Sequence, residues 1–358
     1  MSYAIIEVGA AEWADELAGR PDAHLLQSSQ WGEFKGRFGW RPQRLALRGP
    51  GGFVAGAQIL WRSQWGLKIA YVPRGPLWAE DERANELLLA ALERIARRQR
   101  AVFLRLEPNQ LDDGGFDRRH SALLLAGYEP AAPLQPAASI HLDLAPAPEA
   151  LLAGFSKGHR ADIRRAERNG VTVRAGETDE DLGTFYSIME ATSARAQFAI
   201  HSRDYYAQAW ELFGGRKPGD HASAARLLLA ELAGETVAAF LVFGFGSEAQ
   251  YMYSGATDAG LKSGANHALQ WAALRWARER GCARYDFWGV PAAFADLEAA
   301  ADDAERARLE EAAQASGMAG VYRFKKGFGG AVVRYAPAYD LVFFRPAYWL
   351  WQRRRGEG

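Results

Sequence analysis

At 358 residues and 49% hydrophobic side chains, the chain is long enough for two domains with their own cores, and wholesale disorder is excluded. Lysine plus arginine and aspartate plus glutamate each total 43, so a polyanionic partner must be met by a local cluster of cations, not by a globally basic protein. The single cysteine, Cys282, excludes an intramolecular disulfide and a cysteine-built metal site, as suits a reducing cytoplasm. The N-terminus carries neither a basic region nor a long apolar run, so no signal peptide is expected. No stretch reaches the roughly 18 uninterrupted apolar residues of a membrane span.

The elements follow in order. Glu12 to Leu17 reads as a short helix. Ser28 or Ser29 can cap a second, in which Trp31, Phe34 and Phe38 share a face and Lys35 projects close to Arg37. Arg44 to Leu47, Gly52 to Trp61 and Lys68 to Val72 read as strands. Glu86 to Arg98 is an amphipathic helix with Leu87, Leu88, Ala91 and Ile95 as its stripe, followed by a strand over Val102 to Leu106. Pro130 to Pro136 looks like a turn or linker, and Ser139 to Leu144 alternates as a strand. Two domains are expected, 1–145 and 146–358. Lys157, Arg160, Arg164 and Arg168 then step by three, four and four residues along one helical face, either a solvated surface or a stripe suited to RNA backbone. Phe294 to Ala315 reads as one acidic helix, part of an insertion at about 292–316. The tail, with Trp349 and Trp351 beside Arg353, Arg354 and Arg355, reads as a strand and a solvated basic segment, with contact to a membrane surface as the alternative. His24, His120, His159, His221 and His267 show no metal-ligand spacing.

An internal repeat runs through this order. Val54, Tyr71, Asn85 and Ala101 recur as Val237, Tyr251, Asn266 and Ala283, offset by 180–183 residues. Strand, strand, glycine turn, helix, strand thus occurs twice. The order resembles the GNAT acyltransferase fold, which implies an α+β (mixed α/β) chain of two tandem GNAT-like domains with a cleft between them. GNAT enzymes that use acetyl-CoA cradle its pyrophosphate on a glycine turn at a helix N-terminus. Here Asp81 to Asn85 has no glycine, and Gly260 and Gly264 have a different spacing, so acetyl-CoA is not the expected donor.

The segment Gly320 to Gly330 concentrates Arg323, Lys325, Lys326, Tyr322, Phe324 and Phe328 among four glycines. If extended, it places Phe324, Lys326 and Phe328 on one side and Arg323 and Lys325 on the other. A lysine between aromatic walls acts strongly on a nearby oxyanion or phosphate, whereas an edge strand carrying lysines against aggregation is the simpler reading.

Five motifs in order resemble the Fem family (FemABX) of non-ribosomal peptidyltransferases: Leu26 to Lys35, Tyr71 to Pro76, Arg160 to Glu167, Tyr285 to Val290, and Phe324 to Gly329. The resemblance implies transfer of an amino acid from aminoacyl-tRNA to the third-position amine of a peptidoglycan precursor stem peptide, building an interpeptide bridge. The acceptor is UDP-MurNAc-pentapeptide or its lipid-linked form. No cofactor is implied, and a cytoplasmic monomer is expected. Attack on the ester builds an oxyanion that needs a fixed positive charge, for which Lys325 is the candidate and Lys326 the alternative. By the family pattern Lys35 and an arginine hold the precursor's diphosphate. Arg203 is the first choice and Arg195 the second, since His201 stands where an arginine was expected. Arg74 belongs with this binding group. Glu107 matches an acidic position that accepts the amine's proton, or else caps a turn. Tyr206 and Tyr253 line the cleft, and Lys157, Arg160, Arg164 and Arg168 meet the tRNA. Asp286 and Trp288 are expected to hold the sheet. The competing functions are an acyl-CoA-dependent N-acetyltransferase and a catalytically silent precursor-binding protein.

Overall fold

A computed structural model describes residues 2–112, 116–214, 224–298, 300, 302–315 and 317–356. It divides into two units, Met1–Ala137 with Arg334–Gly358, and Ala138–Val333.

The first unit is built on a seven-stranded sheet in the order Ala4–Val8, Arg41–Gly49, Gly52–Gln64, Leu67–Val72, Phe103–Leu106, Ala338–Val342, Glu129–Ala131. Neighbours are antiparallel except the fourth and fifth strands, which run parallel. A parallel pair needs a crossover, and the helix Glu82–Arg98 supplies it. Leu88, Ala91, Leu92 and Ala96 form its buried stripe, while Leu87, expected on that stripe, is exposed. Before the second strand, Ser28 caps the helix Ser29–Gly36 by accepting from the Trp31 N–H at 3.1 Å. That helix carries Lys35.

The second unit repeats the plan: Thr172–Ala175, Ala225–Leu232, Glu235–Phe245, Glu248–Ala256, Arg284–Asp286, Ala138–Asp143, Ala331–Arg334. Its fourth and fifth strands are again parallel, joined through the helix Ala265–Glu279. Asn85 and Asn266 both lie in the first turn of their crossover helices, as the repeat requires.

The domain limits differ from the expected 1–145 and 146–358. Residues 138–145 belong to the second unit, and the C-terminal segment from Arg334 belongs to the first. The sixth place in each sheet explains this. Ala138–Asp143 pairs with Arg284–Asp286, whereas the matching place in the first sheet is filled from the end of the chain. There a buried ion pair holds it: Arg105 donates to Asp340 from Nε at 2.7 Å and from Nη2 at 2.5 Å, and the Tyr348 hydroxyl donates to the same carboxylate at 2.7 Å.

Three further expectations are corrected. The tail is a helix, Arg345–Gly356, because Ala347, Tyr348 and Trp351 recur at helical spacing and pack on Ile69, Val102 and Phe103. The insertion is two helices, Ala292–Glu298 and Asp303–Ala315, with Ala300 and Asp302 outside both; residues 299, 301 and 316 lie outside the described set. The stretch expected to extend after Gly320 begins as the helix Ala319–Lys326. Its glycines act as a stop. Gly327 caps the helix and Gly329 takes φ +87°, a left-handed conformation that glycine adopts without strain. A Cβ on Gly327 would also fall 2.0 Å from the His159 ring, so close packing requires glycine there.

Candidate active site

A pocket of about 650 Å³ opens within the second unit. One wall is the helix Ala319–Lys326, whose Gly320, Val321, Phe324 and Lys325 line it at spacings of three to four residues. The next residue, Lys326, turns away and pairs with Glu298 at 3.1 Å; Glu298 also accepts from the Tyr322 hydroxyl at 2.9 Å. Helical geometry therefore separates the two lysines that an extended chain had also placed on opposite sides. It puts Lys325 at the pocket.

Lys325 is 7% exposed. Its Nζ donates to the carbonyl of Trp288 at 3.0 Å and to that of Gly289 at 2.7 Å, and lies 5.8 Å from the Tyr251 ring centre. An ammonium has three N–H bonds; two hold it in place and one remains for a ligand. Burial lowers its pKa to about 8, partly opposed by the Asp286 charge. The carbonyls converge because Trp288 sits at φ +58°, uncommon for a non-glycine residue. Asp286, fully buried, accepts the Trp288 N–H at 2.7 Å and a hydrogen bond from Ser139. Burial opposes its charge, yet His141, Ser139 and that N–H together hold its carboxyl below the usual range. Asp286 and Trp288 thus shape the turn that grips Lys325.

The opposite wall is aromatic. The His201 ring stacks on Tyr205 at 3.8 Å, and the His201 N–H donates to the Tyr206 hydroxyl at 3.2 Å. Tyr206 and Tyr253 meet edge-on at 5.0 Å, and burial raises the pKa of both phenols, so they act as neutral hydrogen-bonding groups. Arg195 reaches the rim from the last turn of the helix Asp179–Ala196, donating to the Ala256 carbonyl at 2.9 Å and meeting Asp258 at 3.4 Å. Asn266 and His267 also line the pocket. The His267 pKa falls to about 4, from burial first and from His159 second, so its ring is neutral at physiological pH.

The pocket brings together Lys325, Arg195, Tyr206 and Tyr253, but not Arg203 or Lys326. Arg203 is exposed at the start of the helix Arg203–Leu212, where it donates to the Asp179 carbonyl at 3.2 Å. On the helix Lys157–Arg168, Lys157, Arg164 and Arg168 are exposed, while Arg160 is engaged by the carbonyls of Ala153 and Phe155.

Lys35, Arg74 and Glu107 belong to the first unit. Lys35 is half-buried, with Nζ 5.9 Å from the Trp31 and Phe34 ring centres; burial, then Arg62, lowers its pKa to about 8. Arg74 is buried with φ +46°, lies 3.6 Å over the Tyr335 ring and donates to the Pro136 carbonyl at 2.9 Å. Glu107 accepts from the Tyr71 hydroxyl at 2.6 Å, from the Gln135 N–H at 3.1 Å and from the Leu134 N–H. Its carboxylate is committed to holding a turn, and burial raises its pKa.

Sequence reasoning overlooked His201, Asn266 and His267 as pocket residues. The first showed only as a missing arginine and His267 only as one of several scattered histidines. Among the described residues no group of histidine, cysteine and carboxylate side chains could hold a metal ion; His221 lies outside them.

Two sheets of one plan, each with its fourth and fifth strands parallel, define a tandem GNAT-like fold. A tandem GNAT protein from the clavulanic acid biosynthesis pathway shares it at TM-score 0.54 and 14% identity, over 95% of this chain and 98% of that one. The FemX crystal structure matches at TM-score 0.82 and 20% identity, over 97% and 99%. The chain belongs to the FemAB family, which it matches over residues 12–114, 118–219 and 220–353. Among curated relatives, the lipid II:glycine glycyltransferase of Staphylococcus saprophyticus is 28% identical over 52% of this chain, a match spanning only 47% of that protein. The enzyme of the same name from Staphylococcus aureus strain MRSA252 is 23% identical over 92% of this chain and 90% of its own length.

Proposed function

We propose that this chain is a cytoplasmic aminoacyltransferase that moves an amino acid from aminoacyl-tRNA to the third-position amine of a peptidoglycan precursor stem peptide. FemAB membership and relatives named as lipid II:glycine glycyltransferases support the reaction class and favour a lipid-linked acceptor. In the reaction the amine nitrogen bonds to the ester carbonyl carbon, the bond to the tRNA ribose oxygen breaks, and the amine's proton leaves as that oxygen gains one. The activated ester drives the step, so no cofactor is required.

The observation that carries the reading is Lys325: a buried ammonium, pinned by two carbonyls, with its remaining N–H available at a pocket large enough for an aminoacyl group. Such a preorganised donor stabilises the tetrahedral oxyanion without reorganising during reaction. Neutral Tyr206 and Tyr253 bound the space beside it. Of the two arginines implied by the resemblance for the precursor's diphosphate, Arg195 is preferred because it reaches the pocket and Arg203 does not; Lys35, in the first unit, is proposed as a diphosphate contact on the resemblance alone.

Single-turnover transfer by Lys325→Ala and Lys326→Ala tests this. Lys325→Ala is expected to slow transfer by about 100-fold or more, the scale for losing one oxyanion donor, with precursor affinity unchanged. Lys326→Ala is expected to stay within a few-fold of the parent. Full activity in Lys325→Ala removes that residue from the mechanism.

A further inference from the structure

The first unit carries a surface that the transfer reaction does not use. A crevice of about 350 Å³ lies where the end of the helix Glu82–Arg98 meets Phe343 and Phe344, and it is lined by Arg97 and Arg100. Phe344 is 58% exposed there. The chain then enters the helix Arg345–Gly356, which buries Ala347, Tyr348 and Trp351 against the sheet. Its outer side presents Trp349, 54% exposed, and Leu350, 39% exposed. Arg345, Trp349 and Arg353 follow one another at four-residue steps on one stripe, and the Arg353 guanidinium lies 3.9 Å over the Trp349 ring.

Water-exposed phenylalanine, tryptophan and leucine within seven residues of sequence form an apolar surface, and large exposed apolar patches mark interaction sites. The cations decide what covers this one. Arg97 and Arg100 line the crevice, and Arg345 and Arg353 flank Trp349 along the helix; Glu93 pairs with Arg97 and Glu129 with Arg345. Arg100 and Arg353 remain as positive charge beside the apolar side chains. A second copy of the chain seated symmetrically would bring this net-positive patch against its own copy. An interface of aromatic and aliphatic groups flanked by arginines is instead complementary to an anionic bilayer, where rings sit at headgroup level and guanidinium groups meet phosphate.

We propose that the outer side of the helix Arg345–Gly356, with Phe344 and the Arg97–Arg100 crevice, is a docking site for an anionic phospholipid surface. Docking of this kind is peripheral, and no described helix is long and apolar enough to cross a membrane. The proposal stands whether or not the acceptor is lipid-linked, and its test does not read transfer.

The full chain is floated with phosphatidylglycerol–phosphatidylcholine vesicles and with pure phosphatidylcholine vesicles at low and high salt. Binding is expected only to the anionic vesicles, weakening as salt rises. Arg100→Glu is expected to weaken it at least about fivefold, on the scale of 1 kcal/mol per basic residue. Trp349→Ser with Leu350→Ser is expected to weaken it about tenfold or more, with the fold retained by circular dichroism and only a small fall in melting temperature, since both side chains lie on the helix's outer side. Leu125→Ser, which removes an exposed leucine elsewhere in the same unit, is expected to bind as the parent does. Equal binding to both vesicle types, or to neither, overturns the proposal. So does undiminished binding by the Arg100 and Trp349 variants, or a concentration-dependent dimer that Trp349→Ser dissolves.

Discussion

Lys325 and Lys35 both have pKa values lowered by burial to about 8, and each has a different task in the proposed reaction. A lysine is useful here only while protonated, so its contribution is complete well below pH 8 and lost as pH rises through it. The turnover number is expected to fall above about pH 8 as Lys325 loses its charge. The Michaelis constant for the precursor is expected to rise over the same range as Lys35 does. Lys325→Arg, which cannot deprotonate in this range, is expected to flatten the turnover limb even if slower; steady-state kinetics from pH 6 to 10 separates the two effects. The aromatic and glycine-rich neighbours single out Lys325 in the sequence, and the structure places it at the pocket. The turn that fixes it was only partly legible: Asp286 and Trp288 were read as structural, but nothing local shows that their backbone would hold Lys325. Glu107 illustrates the converse. The family resemblance suggests a base and its place after a strand suggests a turn cap; hydrogen bonds from Tyr71, Leu134 and Gln135 engage both carboxylate oxygens at a turn.

Among elements, the strands and helices with clear periodicity were readable in the sequence, because alternation and the 3.6-residue repeat are local properties. The segment from Ala319 was not, since eight residues of mixed aromatics and lysines fit either period and the glycines suggested flexibility where they actually end a helix. The strand Ala338–Val342 was also beyond local reasoning. What assigns it to the first sheet is Arg105 meeting Asp340, residues 235 apart in the chain and almost fully buried. That pair makes a sharp prediction. Asp340→Ala leaves a buried guanidinium without its carboxylate and is expected to cost about 3–5 kcal/mol. Arg105→Met with Asp340→Leu, which replaces both charges with apolar groups, is expected to recover most of it. Urea denaturation measures both; a single variant as stable as the parent removes the pair from the account of why the chain end returns to this sheet.

For the molecule as a whole, the internal repeat was the most reliable guide, because a duplicated order of strands and a crossover helix constrains topology more than any one motif does. It yields two sheets of the same plan, but not the exchange of their sixth strands, which depends on pairing across the full chain length. The proposed tRNA donor has a candidate surface. Lys157, Arg164 and Arg168 lie exposed along one helix in a chain of zero net charge. If they meet RNA phosphates, Arg164→Ala and Arg168→Ala are expected to raise the Michaelis constant for charged tRNA and to lower its salt slope by about one unit or a little less per contact. The constant for the precursor should stay the same. Neither crossover helix opens on a coenzyme-type glycine turn: Asp81 caps the first, and Gly264, opening the second, packs against the backbone of Asp162. The most direct measurement is therefore the mass of a muramyl-pentapeptide precursor, nucleotide-linked or lipid-linked, after incubation with the protein and charged tRNAs. The expected result is a gain of one or more amino-acid residues that is abolished by ribonuclease treatment of the donor. A gain that survives ribonuclease, or an acetyl group added from acetyl-CoA alone, would contradict tRNA-dependent aminoacyl transfer.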